Sequence, residues 1–598
     1  MRNNEIAEKL GDFTITPRVL WISGLAVTIG LISSLVALAL LRLIGLFTNL
    51  FFYQRWDTAL TSPSNHHLGA WVIVVPVIGA LIIGFMARYG SDRIRGHGIP
   101  EAIEAILING SKVEPKVAFL KPLASAISIG SGGPFGAEGP IILTGGAFGS
   151  MIAQFFHLSS VERKTLLVAG AAGGMSATFA SPVAAVLLAV ELLLFEWKPR
   201  SLIPVALASV TAGAARRYIL GMGPLFPVPA HPAFIGPQGL IGCVICGVLA
   251  GILSAALTAA VYASEDAFLK LPMHWMWWPA LGGLAIGLGG WVFPQALGVG
   301  YETIGALLQG EVPRNLILGI LLVKSVIWAV SLGSGTSGGV LAPLLLMGGA
   351  LGGMEAGFLP HEGLGFWPLV SMGAILGGTM RSPFTGVIFA LELTHDINML
   401  LPLLLAVTIA HGFTCLTLRR SILTEKVSRR GYHLSREYAV DPLEILFVRE
   451  VMRTNIVALP AFESAREAVG RLNSDNTRRG QLLYPVIAAD DLLAGVVTRN
   501  GLQRAISDPA AQSRPLGDLA TTNPMTADAG EPLRLVVHRM AETGITRMPV
   551  LEAGRLVGMV SLNDLLQART RSLEEERRRE RVLRLRIPFG RMAGLPKT

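Results

Sequence analysis

Charge is what this chain has least of. Asp, Glu, Lys and Arg make up 15% of its 598 residues, against about 25% in soluble globular proteins, and its mean hydropathy is strongly positive. A soluble enzyme of this length is excluded, and most of the chain is expected in lipid. Cysteine is nearly absent as well. Cys243, Cys246 and Cys415 are the three, and the first two lie in an apolar, helix-like run with no second pair to complete a metal site, so no metal or redox centre is expected. The polar part brings no nucleophile, base and orienting group together, which argues against enzymatic activity. The first apolar run is too long for a secretory signal and no cleavage-like site follows it, so the N-terminus is expected to stay on.

What the chain has instead is uncharged runs, at 19–41, 68–87, 166–190, 239–263, 271–301, 325–354 and 397–418. Each is long enough to cross about 30 Å of hydrocarbon, and several are expected to be full spans. The net charge of +9 is not a nucleic-acid signal, because the basic residues gather beside these runs, as in Arg88, Arg93 and Arg95, or Arg419, Arg420, Lys426, Arg429 and Arg430. That pattern places both loops, and all that follows Arg419, in the cytosol.

After Leu418 charged residues return with short alternating apolar segments, so a membrane domain ends near there. The expected organisation is a cytosolic segment 1–18, a transmembrane domain 19–422, a linker 423–447, a soluble module 448–570 and a basic tail 571–598. Within the module, YPVI at 484–487 and GVVT at 495–498 recur as MPVL at 548–551 and GMVS at 558–561. Each unit reads as strand, turn, strand, helix.

The membrane domain repeats itself too. GSGGPFGAEGP at 130–140 recurs as GSGTSGGVLAP at 333–343, and SPVAAVLLAVEL from 181 recurs as SPFTGVIFALEL from 382, offsets of 203 and 201 residues. The repeats run over about 19–220 and 235–422. Such duplication marks transporter-type folds with a substrate site between the halves, near mid-bilayer.

Three segments share one grammar, a glycine stretch, then a Pro, then a short apolar run: GHGIP at 96–100, GAEGP at 136–140 and GGVLAP at 338–343. Each reads as a helix start in or near the membrane, where irregular backbone survives only if it is buried in protein or lines a path. A helix start presents unpaired N–H groups and about half a positive charge. No complementary set of membrane carboxylates offers a cation path, so the substrate is expected to be a small anion. Glu138 breaks the symmetry, since its counterpart is the apolar Leu341. It reads either as a gate that competes with the anion when charged and leaves when protonated, or as a helix-capping residue. Lys121 either raises the local potential for anions or snorkels to the interface. Glu191 and Glu392 are equivalent in the two repeats and read as structural, hydrogen-bonded at helix ends.

GHGIPE at 96–101, GSGGPFGAEGP at 130–140, GSGTSGGVLAP at 333–343 and SILTEK at 421–426 together resemble the CLC chloride channels and proton/chloride antiporters. The resemblance covers essentially the whole membrane domain. It implies an all-α polytopic domain with an inverted two-repeat helical fold, in a homodimer with one anion path per subunit. It also implies a multi-pass protein of a bacterial inner or plasma membrane, with both termini cytosolic. Chloride is then held by backbone amides at the helix starts, around His97, Gly98 and Ile99, Gly136, Ala137 and Gly139, and Val340 and Leu341. Glu138 falls on the family's external gating glutamate and Lys121 on its membrane lysine. Three positions depart from the family. His97 stands where a serine is usual, and its imidazole either donates an N–H to the anion or points away into the loop. Leu423 replaces the usual tyrosine. Leu192 stands where the antiporters carry an internal, proton-bearing glutamate, which favours a gated channel over a proton-coupled chloride or fluoride exchanger.

The soluble module resembles a tandem CBS pair, over 448–505 and 516–568, of α+β architecture. In such modules a Gly-x-x-Ser/Thr-x-x-Asp stretch binds an adenine nucleotide, ATP, ADP or AMP, with the hydroxyl toward phosphate and the Asp toward ribose. Gly558, Ser561 and Asp564 fit it, whereas the first copy has Gly495 and Thr498 but Gly501 in place of the Asp. The pair is either nucleotide-binding or a ligand-free dimerisation module. A reading from another class is a non-conducting sensor of anion or nucleotide.

Overall fold

Leu, Ile, Val, Ala and Gly dominate the first 31-residue helix, α1 (Arg18–Thr48), which at 1.5 Å per residue exceeds the thickness of the bilayer core. The computed structural model describes residues 15–232, 234–431, 443, 446–474, 481–489 and 492–577. Most of the expected segment 1–18, much of the linker and the tail beyond 577 lie outside the described residues. Two compact units emerge, one within Phe13–Glu437 and the other within Tyr438–Thr598.

The first unit is helical throughout. After α1 come α2 (Val74–Tyr89), α3 (Ile99–Leu107), α4 (Pro115–Gly130), α5 (Glu138–Gln154), α6 (Ser160–Phe179), α7 (Pro182–Leu188, extended by a π-helical stretch Ala189–Leu194) and α8 (Pro199–Ile219). The series then recurs as α9 (Pro237–Leu269), α10 (Trp278–Val292), α11 (Tyr301–Leu308), α12 and α13 (Arg314–Gly319 and Ser325–Gly333, joined by a π-helical turn), α14 (Leu341–Glu355), α15 (Phe366–Met380), α16 (Pro383–Thr394) and α17 (Leu400–Thr417). The short α18 (Ile422–Arg429) follows. Among the described residues, five helical stretches are long and apolar enough to cross a membrane: Arg18–Tyr53, Gly69–Tyr89, Pro237–Leu269, Arg314–Gly333 and Ile397–Arg429.

Three of the long uncharged runs are not single helices: 271–301 holds α10 and, beyond Val292, the start of α11 at Tyr301, and two more break between consecutive helices. The run 166–190 breaks where α6 ends at Phe179, with Ala180 left-handed at φ 55° and Pro182 opening α7. The run 325–354 breaks between Gly333 and Leu341, where Gly335 takes φ 81°. Proline cannot continue the preceding helix, and glycine alone takes such φ values without strain. Hydropathy does not register either break.

The second unit holds two three-stranded sheets. The first contains β1 (Leu459–Pro460), β2 (Leu483–Ile487) and β3 (Leu493–Thr498); the second contains β4 (Ala527–Asp528), β5 (Arg547–Glu552) and β6 (Arg555–Ser561). In each, the outer pair is parallel and the hairpin pair antiparallel. The hairpins are followed by α21 (Arg499–Ser507) and α24 (Leu562–Arg577); α19 (Val448–Val451), α20 (Ala465–Ser474), α22 (Leu516–Leu519) and α23 (Leu533–Thr543) complete the unit. Beyond the strand, turn, strand, helix reading, each sheet gains a two-residue strand, β1 or β4, too short to show a periodicity.

One contact ties the two helical series together reciprocally. The Glu392 carboxylate, in α16, accepts from the amides of Val183 (3.0 Å) and Ala184 (2.8 Å) at the start of α7. Glu191, just past α7, accepts from the amides of Phe384 (3.2 Å) and Thr385 (2.9 Å) at the start of α16, and from the Thr385 hydroxyl at 2.5 Å. Each glutamate therefore caps a helix of the other repeat. Replacing Glu392 with Leu strands two amides away from water and is expected to cost about 2 kcal/mol, read as a lower melting temperature of the detergent-solubilised protein.

Candidate functional site

The three glycine turns meet. Gly96 N–H donates to Thr336 O (3.2 Å) and Gly338 N–H to Gly96 O (3.4 Å), while Gly136 and Gly339 exchange both backbone bonds, at 3.1 and 2.8 Å. These bonds bring the starts of α3, α5 and α14 to one buried junction. Glycine is required there by space. A methyl group on Gly139 would lie 1.8 Å from His97 O, one on Gly98 2.3 Å from Gly139 O, and one on Gly339 2.6 Å from Gly136 O. Gly98 also caps α3 at φ 91°, a conformation that L side chains resist. Ile99, Ala137, Val340 and Leu341 all stand at these helix starts with no exposed surface.

Glu138 is the first residue of α5 and is wholly buried. Its carboxylate lies in the junction: a methyl on Gly136 would fall 1.7 Å from Oε2 and one on Gly339 3.1 Å from it. The amides of Glu138 and Ala342 act on it electrostatically, yet neither oxygen makes a hydrogen bond of normal geometry. A carboxylate thus occupies the place where helix-start amides converge.

Lys121, in α4, does not snorkel. It is fully buried, and its Nζ donates to Ile94 O (2.8 Å), Gly96 O (2.7 Å) and Ser337 Oγ (3.0 Å). In a trans peptide the C=O and the next N–H point opposite ways, so a lysine that takes Gly96 O turns the His97 amide away from itself. Glu101 completes the turn: its Oε2 accepts from Gly98 N–H at 2.8 Å and its Oε1 pairs with Lys426 at 2.9 Å.

His97 is buried, its Nδ1 has no hydrogen-bond partner, and it lines a cavity of about 620 Å³ with Arg95, Lys426, Arg429 and Arg430. Both basic loops singled out by charge line this one space, which Asp92 and Glu265 also border. Leu423 is buried in the first turn of α18, which packs on α3, and Leu192 is buried in the π-helical stretch that also contacts α3. A tyrosine arrives beside the Leu423 position from elsewhere: Tyr262 of α9 donates to Ile422 O at 2.5 Å.

Two features of the second repeat were passed over in the sequence. Lys324 lies 203 residues after Lys121, the offset of the duplication. It is likewise fully buried, and its Nζ donates to Gly298 O (2.8 Å) and Val299 O (3.4 Å). That turn, GVGYE at 298–302, mirrors GHGIP at 96–100 and opens α11 with Gly300 at φ 86°. A second cavity, of about 210 Å³, is lined by Ala137, Gly298, Val299, Gly300, Tyr301 and Glu302, among others. Extending the 203-residue offset to single lysines would have found both.

In the soluble unit, Ser561 ends β6 and Asp564 opens α24. Asp564 is buried and accepts from Ser561 N (2.9 Å), Ser561 Oγ (2.5 Å) and Arg453 Nε (2.6 Å). Gly558 is covered by the same segment, a methyl there meeting Arg453 O at 2.7 Å. The open cavity, of about 440 Å³, lies instead beside Thr498, Asn523 and Arg547. Among the described residues no group of three or more His, Cys, Asp or Glu is arranged for a metal ion.

The profile described as "Voltage gated chloride channel" matches residues 78–414, and that of the CBS domain matches 448–508 and 516–571. The chain is 29% identical over 345 residues to a putative chloride channel protein, ClcB-like, of Ralstonia nicotianae, covering 56% of this chain and 80% of that one. It is 27% identical over 426 residues to the H(+)/Cl(-) exchange transporter ClcA of Salmonella arizonae, covering 68% and 87%. Its fold is shared with the crystal structure of a slow cyanobacterial Cl-/H+ antiporter, at TM-score 0.61 and 20% identity over 70% of this chain and 99% of that one.

The junction makes its own demand on substitution. Gly139→Ala drives a methyl into His97 O and is expected to lower stability by about 2 kcal/mol. Gly412→Ala, in α17 with open space around it, is expected to be neutral or slightly stabilising. Parallel thermal melts of the two variants check this.

Proposed function

The chain belongs to the CLC family of chloride channels and transporters, and from that membership we propose that it is a gated chloride channel in which Glu138 is the gate. Members of this family move anions and are not enzymes. The observation that carries the proposal is the position of the Glu138 carboxylate, set without a hydrogen-bond partner among the amides of three converging helix starts. A halide and a carboxylate compete for such amides, because both are monovalent anions that lose their water on entry. The anion is held by the turns at His97, Gly98 and Ile99, at Gly136, Ala137 and Gly139, and at Val340 and Leu341. Lys121 fixes the first turn and supplies positive potential. The cavity lined by Arg95 and Lys426 is the cytosolic mouth, and both termini are cytosolic, as the basic residues beside the spans suggest; the cavity beside Ala137 and Tyr301 is the outer mouth. The protein works as a homodimer in a bacterial inner membrane.

Passive conduction is preferred to exchange because Leu192 is apolar and buried where family exchangers carry a proton-bearing glutamate. The exchanger reading draws on relatives named as Cl-/H+ antiporters. Liposomes loaded with chloride and a pH probe separate the two: a channel dissipates the chloride gradient without driving protons uphill, whereas chloride-driven proton uptake selects the exchanger. In the same liposomes, wild-type efflux is expected to rise as pH falls, since a protonated gate no longer competes with the anion. Glu138→Gln and Glu138→Ala are expected to be open at all pH values, and a pH response that survives in both would refute the gating role.

The CBS pair modulates opening, with an adenine nucleotide taken up beside Gly558, with its phosphate toward Ser561 and its ribose toward Asp564. Asp564 is held by the Arg453 side chain and Gly558 is covered by the Arg453 backbone, so the nucleotide has to displace that arginine from the acid and shift the segment that carries it. Arg453→Ala is therefore expected to raise the affinity of the full-length protein for ATP, ADP or AMP severalfold in calorimetric titration. A loss of affinity would place Arg453 on the ligand instead.

A further inference from the structure

Gating by Glu138 leaves the Tyr301 hydroxyl, at the second cavity, unused. Tyr301 opens α11, and its ring stands edge-on to Phe179, centroids 6.4 Å apart, and tilted against Phe226 at 6.1 Å. These contacts fix the ring and carry its hydroxyl out of solvent, where it has no hydrogen-bond partner among the described residues. A buried hydroxyl without a partner is unfavourable. The Glu138 carboxyl is unpartnered too, and the two groups lie within electrostatic range of each other. Ala137, the residue before Glu138, lines the same cavity as Tyr301.

We propose that the Tyr301 hydroxyl is the receiving group for the Glu138 side chain: when the carboxyl leaves the junction of helix starts, it hydrogen-bonds to Tyr301 at the floor of the second cavity, and this contact holds the path open. The proposal rests on the reading of Glu138 as the gate. A phenol both donates and accepts, so it pairs with a carboxyl that is protonated or charged. The position is peculiar to one repeat, since the counterpart of Tyr301, 202 residues earlier, is Ile99. The charged and titratable groups around the pair are Glu302 on the cavity wall, Lys324 behind Gly300, Tyr53, on which Glu302 and Arg55 both act, and His97 and Lys121 at the junction turns. Tyr301→Phe leaves all of these in place and keeps the ring, so its effect reports on the hydroxyl alone.

The test is halide efflux from liposomes holding the full-length protein, measured from acidic to neutral pH for wild type, Tyr301→Phe, Glu138→Ala and the double variant. Tyr301→Phe is expected to lower efflux about fivefold at the wild-type midpoint, the worth of one neutral hydrogen bond, and to move the midpoint to lower pH, because opening then needs more protonation. In the Glu138→Ala background the same change is expected to do nothing. An unchanged pH profile in Tyr301→Phe, or an equal loss in the Glu138→Ala background, overturns the inference while the gate stands. A wild-type profile in Glu138→Ala removes the gating reading and this inference with it.

Discussion

Amides at a helix start have no partners within their own helix, and in a membrane interior they have no water. The centre of this protein is organised around that constraint. Three such starts are driven together, and part of the demand is met by bonds between the turns, Gly96 with Thr336 and Gly136 with Gly339. The remaining N–H groups face a carboxylate that itself lacks a bond. Approach this close excludes every side chain at Gly98, Gly139 and Gly339, and it explains why Lys121 is buried rather than interfacial. Its ammonium occupies the carbonyl side of one turn, so the amide side is free to point elsewhere.

Much of this was legible in the sequence because the constraint writes itself in glycine and proline. The turns at 96–100, 136–140 and 338–343 all lie where their spelling put them, at helix starts, and the 203-residue offset announced the duplicated order of helices. Hydropathy was a poorer guide. It joined α6 to α7 and α13 to α14, because a break at Ala180 or Gly335 costs nothing on a scale of apolarity. Contacts that cross the chain were out of reach: Tyr262 on the Ile422 carbonyl joins residues 160 apart, and Arg453 on Asp564 joins residues 111 apart. The second case matters most, since a motif complete on paper at Gly558, Ser561 and Asp564 is covered in space by its own chain, while the open cavity beside Thr498 is lined from both copies, by Thr498 of the first and Asn523 and Arg547 of the second.

The repeats share backbone and differ in chemistry. Gly98 and Gly300 cap α3 and α11, both at positive φ, and Lys121 and Lys324 hold the turns before them by the same kind of bond. Side chains at the matching positions are another matter: Glu138 stands against Leu341, His97 against Val299 and Ile99 against Tyr301. Groups that bear the load of the fold were kept in both halves, and groups that could bind or carry a proton were kept in one.

The crossed capping by Glu191 and Glu392 has a consequence for origins. Each half supplies the acid that the other half's helix requires, so neither half is self-sufficient. Two separate copies of a half-length ancestor would make this same exchange across a symmetric interface, and joining them end to end would leave it undisturbed. The bond pattern is thus one that two separate chains could form between them, held here inside a single one.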